Sequence, residues 1–269
     1  MAAHLDLLPD HPHVAVVTID RPQQANALDP PTLHQLADAW RRIANDPDIR
    51  CTVLTGAGNR VFCAGMDMKT TIPAAQRLAR GERIEPEAFA GLRDVSTALL
   101  AGFDLGSPLV CAINGHARAG GFDLMLAAEM RIAVPQATFA LEEVALGLYP
   151  TGNATVLLPR QIGWVHAHEL LLTAQPIDAA RALEIGLINR IVEPPALMTS
   201  ALAVADAIAA NAPLAVRETR RGVREILHLP LPEAYARQEQ LGAPLRRTDD
   251  AREAQRAFIE KRRPSWTGK

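Results

Sequence analysis

The chain has 269 residues, of which 48% are hydrophobic and 22% charged, and its formal net charge is −2. That length builds one large domain with ample core. The near-neutral balance gives no electrostatic basis for a nucleic acid or an anionic membrane as partner. The three cysteines, Cys51, Cys63 and Cys111, have no CxxC spacing and sit in apolar, strand-like runs. They read as buried thiols of a reducing cytosol, with no disulfide and no metal site. No basic, apolar leader and no run of membrane-spanning length is visible, so a cytoplasmic protein is expected.

In chain order, the β-branched run from His13 to Asp20 predicts a strand that Arg21-Pro22 stops. Asp29-Pro30-Pro31 opens a helix, with Asp29 as its N-cap and Leu33, Leu36, Ala37, Trp40 and Ile43 at helical spacing. Asn45 to Asp48 breaks it. Arg50 to Thr55 is the second strand, and Val61 to Lys69 is a short strand running into a turn at Gly65. Thr70 to Glu87 mixes prolines, Gly81 and three arginines and reads as a mobile flap with a short helix. Ala88 to Leu100 is helical again.

Pro108 to Ile113 is an apolar strand, Asn114 to Gly121 a glycine-rich turn, and Phe122 to Ala128 a helix. This order leaves unpaired N–H groups at the helix start, and the glycines admit a ligand close to the backbone. Gly120 is expected to offer its N–H to a developing negative oxygen. Glu129 to Val134 is a strand, Thr138 to Glu143 is extended and Gly147 to Gly152 is a turn. The remainder is helical apart from a strand at Leu187 to Val192. Helices are expected over Ala196–Ala210, Pro213–Leu227, Pro232–Leu241 and Asp249–Lys261. Strands alternating with helices, then helices alone, predict an α/β core with a helical C-terminal part.

Two glycine turns follow apolar runs: Ala64-Gly65-Met66-Asp67 and Ala119-Gly120-Gly121. Two N–H groups converging on one oxygen would form an oxyanion hole, although a short glycine turn by itself reads first as a change of chain direction. The candidate acids are Asp123, Glu142 and Glu143. Asp123, in a first helical turn, also suits the helix dipole. Glu142 and Glu143 are adjacent, so in an extended segment only one of them enters a pocket. His116 reads as a packed or surface residue. Arg118, Arg77, Arg80 and Arg83 read as solvated or as partners of an anionic tail. There is no GxSxG elbow, no GxxxxGK[ST] loop and no GxGxxG turn after a strand, and His34, His166 and His168 form no metal set.

Taken in order, several segments resemble the crotonase superfamily of enoyl-CoA hydratases and isomerases. They are Arg21-Pro-Gln-Gln-Ala-Asn-Ala-Leu28, Phe62-Cys-Ala-Gly-Met-Asp67, Asn114-Gly-His-Ala-Arg-Ala-Gly-Gly121, Phe139 to Pro150, Gln175 to Asn189 and Phe258 to Trp266. The resemblance implies an α/β spiral of ββα units over 1–195 and a helical trimerisation region over 196–269. It implies an acyl-CoA thioester substrate, its carbonyl held by the amides of Met66 and Gly120. The backbone near Gln24, Ala64, Asp67 and Met68 would hold the CoA. No metal or cofactor is implied, and a homotrimer or dimer of trimers is. The catalytic positions correspond to Glu143 and Asp123.

Three positions depart from the pattern. Asp123 stands one methylene short of a glutamate, Pro150-Thr151-Gly152-Asn153 is bulkier than the usual glycine turn, and Ala119 replaces a common glycine. The last change is expected to matter little, because the adjacent glycines remain. Hydration by Glu143 and Asp123 sharing a water is the leading expectation. Isomerisation by Glu143 alone is the alternative, and a non-catalytic acyl-CoA binding protein is the reading from another class.

Overall fold

The β-branched runs become strands that pair mostly in parallel, because a helix or long loop returns the chain before each new strand. The computed structural model describes residues 2–269. In chain order its elements begin β1 (Ala3–Leu7), β2 (Val14–Ile19), α1 (Pro30–Asn45), β3 (Cys51–Gly56) and β4 (Val61–Cys63). Then come α2 (Thr71–Ala79), α3 (Pro86–Arg93), α4 (Val95–Ala98), β5 (Leu109–Ile113), β6 (His116–Arg118) and α5 (Gly120–Leu126). Next are β7 (Met130–Ala133), β8 (Thr138–Ala140), α6 (Ala154–Gln161), α7 (Trp164–Thr173), β9 (Ile177–Asp178), α8 (Ala179–Glu184) and β10 (Arg190–Ile191). The chain closes with α9 (Leu197–Ala209), α10 (Pro213–Ile226), α11 (Leu231–Leu245) and α12 (Asp249–Glu260).

A six-stranded sheet runs β1-β2-β3-β5-β7-β10, and a four-stranded sheet runs β4-β6-β8-β9. Each of the pairs β3/β4, β5/β6 and β7/β8 gives one strand to each sheet before the chain moves on, which is the spiral the resemblance implied. Val16 pairs with Val53, and Val53 with Val110, so β-branched side chains stack across the sheet. Every residue of β3 and β5 is buried. The runs show no polar alternation because both faces are covered. One cover is α9, whose Ala201, Ala205 and Ala209 face the sheet and belong to the core. From Leu197 onward the elements are helices only.

The N-cap expected of α1 is present: the Asp29 carboxylate accepts the Thr32 N–H at 2.9 Å. Other boundaries differ from the sequence reading. β1 was not expected; it pairs antiparallel on β2 and forms the sheet edge. The 70–87 segment, expected as a flap with a short helix, holds that helix as the nine-residue α2 and, beyond expectation, the start of α3. The helix expected over Ala88–Leu100 is broken at Asp94 into α3 and α4. Asp94 is buried because Arg41 and His34 of α1 both bond its carboxylate, which fixes the break.

All three thiols are buried, and burial pushes the pKa of each up to about 12. Ellman's reagent at pH 8 is therefore expected to find no reactive thiol in the native protein and three after denaturation in guanidinium. Rapid reaction of the native protein would contradict this packing.

Candidate active site

Gly65 is where the two glycine turns meet. Its φ of +85° suits glycine, and a Cβ there would lie 3.0 Å from the Gly120 nitrogen. The segment after it is extended and pairs with Leu28: the Leu28 N–H donates to Gly65 at 2.8 Å, and the Asp67 N–H donates to Leu28 at 3.0 Å. Successive amides of an extended strand point to opposite sides. The Met66 N–H therefore faces away from Leu28, toward Gly120. Gly120 is the first residue of α5, where an N–H has no intrahelical acceptor. Among the described residues neither amide finds a hydrogen-bond partner, and both residues line one cavity of about 1590 Å³.

The same cavity is lined by Asp123, Glu142 and Glu143. The expectation that only one of the two glutamates would reach it fails. β8 ends at Ala140 and Glu143 begins a 3-10 turn over Glu143–Leu146, so the two residues no longer alternate faces. Glu142 reaches toward Arg118 at 3.4 Å. Glu143 Oε2 is fully buried and has no hydrogen-bond partner among the described residues. Burial raises the pKa of Glu143, its own backbone N–H opposes that, and the charge of Glu142 adds to the rise. A half-buried carboxyl of raised pKa, lacking a protein partner, is suited to exchanging a proton with something in the cavity.

Asp123 is placed otherwise than its first-turn position in α5 suggested. Its Oδ1 accepts the N–H groups of Asn153 at 2.8 Å and Ala154 at 2.6 Å, at the N-terminus of α6. The carboxylate thus serves the dipole of a different helix. Asn153 completes the join by donating its side-chain amide to the carbonyls of Asp123 at 3.0 Å and Leu99 at 2.8 Å. Gly152, at φ +102°, lets this turn approach; a Cβ there would lie 3.0 Å from the Asp123 carboxyl. Asp123 Oδ2 has no partner among the described residues. Burial pushes its pKa up to about 7; the N–H groups of Asn153 and Ala154 restrain the shift and the charge of Glu143 adds to it. Asn153 was not singled out as a functional residue by sequence reasoning. The unusual Pro150–Asn153 turn was its only signal.

Ala119 corrects the expectation that its replacement of glycine matters little. Its backbone lies at φ 44°, ψ −119°, a region that suits glycine, and this residue aims the Gly120 amide. Ala119→Gly is expected to stabilise the fold by about 1 kcal/mol, the relieved steric cost exceeding the entropy cost of glycine. A higher urea midpoint would register this; an unchanged or lower midpoint would show that the turn is unstrained.

Of the residues expected to hold substrate, Ala64, Met66, Met68 and Gly120 line the cavity. Gln24 and Asp67 lie outside its wall. Gln24 sits on an exposed 3-10 turn, Pro22–Gln24, and its N–H is bonded to Arg21 at 2.9 Å. The Asp67 carboxylate is occupied by Arg21 at 3.2 Å and by the N–H groups of Lys69 and Thr70 at 2.9 and 3.1 Å. His116 and Arg118 both bond Thr138, at 2.9 and 2.8 Å, and brace the small sheet. No group of metal-ligating side chains occurs among the described residues.

A sequence model of the enoyl-CoA hydratase/isomerase family matches residues 10–269. The chain is 42% identical over 254 residues to enoyl-CoA hydratase EchA19 of Mycobacterium tuberculosis, covering 94% of this chain and 93% of that one. It is 39% identical over 256 residues to (E)-benzylidenesuccinyl-CoA hydratase of Thauera aromatica, covering 95% and 96%. Among solved structures, enoyl-CoA hydratase from Bacillus anthracis superposes with a TM-score of 0.89 at 32% identity, over 100% of both chains. The free amide pair beside buried carboxyls thus sits on a chain whose sequence and backbone both match one group of proteins along almost their full length. This protein belongs to the enoyl-CoA hydratase/isomerase family.

Proposed function

We propose that this chain is an enoyl-CoA hydratase, adding water across the double bond of a 2-enoyl-CoA. The observation that carries the reading is the pair of unpartnered amides, Met66 and Gly120, opening into a cavity that also holds Glu143 and Asp123. The thioester oxygen accepts from both amides. A water held between protonated Glu143 and ionised Asp123 attacks the β carbon and gives up a proton to the Asp123 carboxylate. The electron pair of the double bond moves onto the thioester oxygen, where two fixed N–H donors hold the enolate without reorganising. Glu143 delivers a proton to the α carbon on the same face, yielding the 3-hydroxyacyl-CoA. The reaction moves no electrons to or from the enzyme, and the amides carry the developing charge, so no metal or redox cofactor is required.

The CoA lies along the backbone of Gln24, Ala64, Asp67 and Met68. Gln24 and Asp67 stand outside the acyl cavity, where the solvated nucleotide end of CoA would rest. The protein works as a homotrimer or dimer of trimers. Large exposed apolar side chains support this, among them Trp164, Val165, Leu231, Tyr235, Phe258 and Ile259. The cytosol is its proposed compartment, in keeping with the buried free thiols.

Incubation with crotonyl-CoA, followed by loss of the conjugated thioester absorbance, tests the reading. Binding without turnover would favour a non-catalytic acyl-CoA carrier. One observation favours a second reading: Asp123 Oδ1 is committed to α6, which leaves Glu143 to shuttle a proton alone, as an enoyl-CoA isomerase requires. Conversion of a β,γ-enoyl-CoA without hydration of crotonyl-CoA would establish that alternative.

A further inference from the structure

The cavity continues well beyond the reacting groups. It passes Leu99 and Phe103 and ends against α10, where Val223 and Leu227 face it. Its volume of about 1590 Å³ exceeds the roughly 300–1,000 Å³ typical of small-ligand pockets, and it is shared between the CoA end at Ala64 and Met68 and the stretch beyond the amides toward α10. Helix α10 packs on α11 on its far side: a Cβ at Gly222 would lie 3.4 Å from Leu241, and Arg237 bonds Glu225 at 2.7 Å. On its near side an arginine clamp holds it to the core. Arg220 donates to Glu129 at 2.8 Å and to Asp104 at 2.5 Å, and Arg224 donates to Glu129 at 2.7 Å and to the Ala127 carbonyl at 3.0 Å. Glu129 is itself fixed by the Leu109 N–H at 2.8 Å. The Arg220 side chain is only 6% exposed.

The clamp pairs Arg220 and Arg224 with Glu129 and Asp104, and Arg221 pairs with Glu225 at 2.6 Å. This leaves Leu99, Phe103, Val223 and Leu227 as the apolar stretch of a wall that also carries Arg160 and His228. Resting on the hydratase reading for the identity of the thioester, we infer that the acyl chain runs from the Met66 and Gly120 amides past Leu99 to Val223 and Leu227. The preferred substrates are then long or bulky apolar acyl-CoA esters. Arg220 is a positioning residue: its guanidinium is held by Glu129 and Asp104, so it sets how far α10 stands from the core, and hence the depth of the cavity.

Burying one methylene is worth roughly four-fold in affinity. Calorimetric titration with dodecanoyl-CoA and butyryl-CoA, neither of which can be hydrated, reads the cavity without relying on turnover. The wild-type protein should bind the longer ester at least about ten-fold more tightly. Val223→Trp, at a 59% exposed position, should cut that ratio at least about three-fold, as should Leu227→Trp. Arg220→Met should also lower the ratio, with the loss in the KM for dodecenoyl-CoA rather than in kcat; a purely structural role would lower kcat for both chain lengths alike. Equal affinity for the two esters, or a ratio unchanged in both tryptophan variants, would overturn the inference. Chain-length selectivity without turnover of any 2-enoyl-CoA would sink the hydratase reading and support the cavity assignment. Binding of neither ester would sink both.

Discussion

Replacing Glu143 with glutamine is expected to lower kcat for hydration of crotonyl-CoA by roughly 10²–10⁴-fold, the range for loss of a positioned proton-transfer group. Glutamine keeps the volume and both polar atoms but cannot take or give the proton. KM should change little, because the thioester is held by the amides of Met66 and Gly120. Stability should hold or improve. Glu143 Oε2 is buried without a partner, and burial, restrained by its own N–H, raises its pKa. A carboxyl whose folded pKa is raised supports the fold fully below its unfolded pKa and loses that support as pH rises through the folded value. Glu143→Gln removes that loss, so its melting temperature at pH 8 should at least equal that of the wild type. A variant retaining more than a tenth of wild-type kcat would remove Glu143 from the reaction. A large fall in melting temperature would instead give it a structural task.

Asp123→Asn should separate stability from activity. Its carboxyl has a pKa pushed up to about 7 by burial, against an ordinary 3.8. Between those two pH values the folded protein holds a proton that the unfolded chain releases, so stability declines as pH rises and is lowest above 7. Asparagine can still accept both α6 N–H groups through its own oxygen and carries no charge. The variant should therefore melt above the wild type at pH 8, with the gap closing toward pH 4. Its hydration rate should fall by at least about 10²-fold, since the second carboxylate no longer shares the attacking water. Conversion of a β,γ-enoyl-CoA, which needs Glu143 alone, should fall much less. The wild-type hydration rate should also rise as pH passes through about 7 and Asp123 ionises. Hydration undiminished in Asp123→Asn would leave this residue only its anchoring of α6. Such a trade, in which a destabilising buried charge is kept for the reaction, is common at active sites.

Much of this was legible in the chain. Strands at Val14–Ile19, Cys51–Gly56 and Leu109–Ile113 are short β-branched runs, and periodicity finds such segments well. The proline and aspartate punctuation of α1 was equally clear, because a cap is a local interaction. The glycine turns alone read first as changes of chain direction, and it was the family resemblance of the segments through Glu143 that implied an oxyanion pair and an acid. What local pattern misjudged was β8 running on to Glu143, and Ala119, whose glycine-like backbone no neighbouring residue announces.

The sequence by itself determined the family, the longer strands and helices of the core, and which residues compete to carry the chemistry, since those depend on residue type and short spacings. The short strands β1, β6 and β9 appear only in the fold. Only the tertiary structure decided what each acid does. Asp123 is drawn to α6 by amides 30 and 31 residues away. The cavity is closed by an arginine that meets Asp104 across 116 residues of chain. Contacts of that separation arise from how the spiral stacks its turns, and the burial that shifts these carboxyls is a property of the packed molecule with no trace in local sequence.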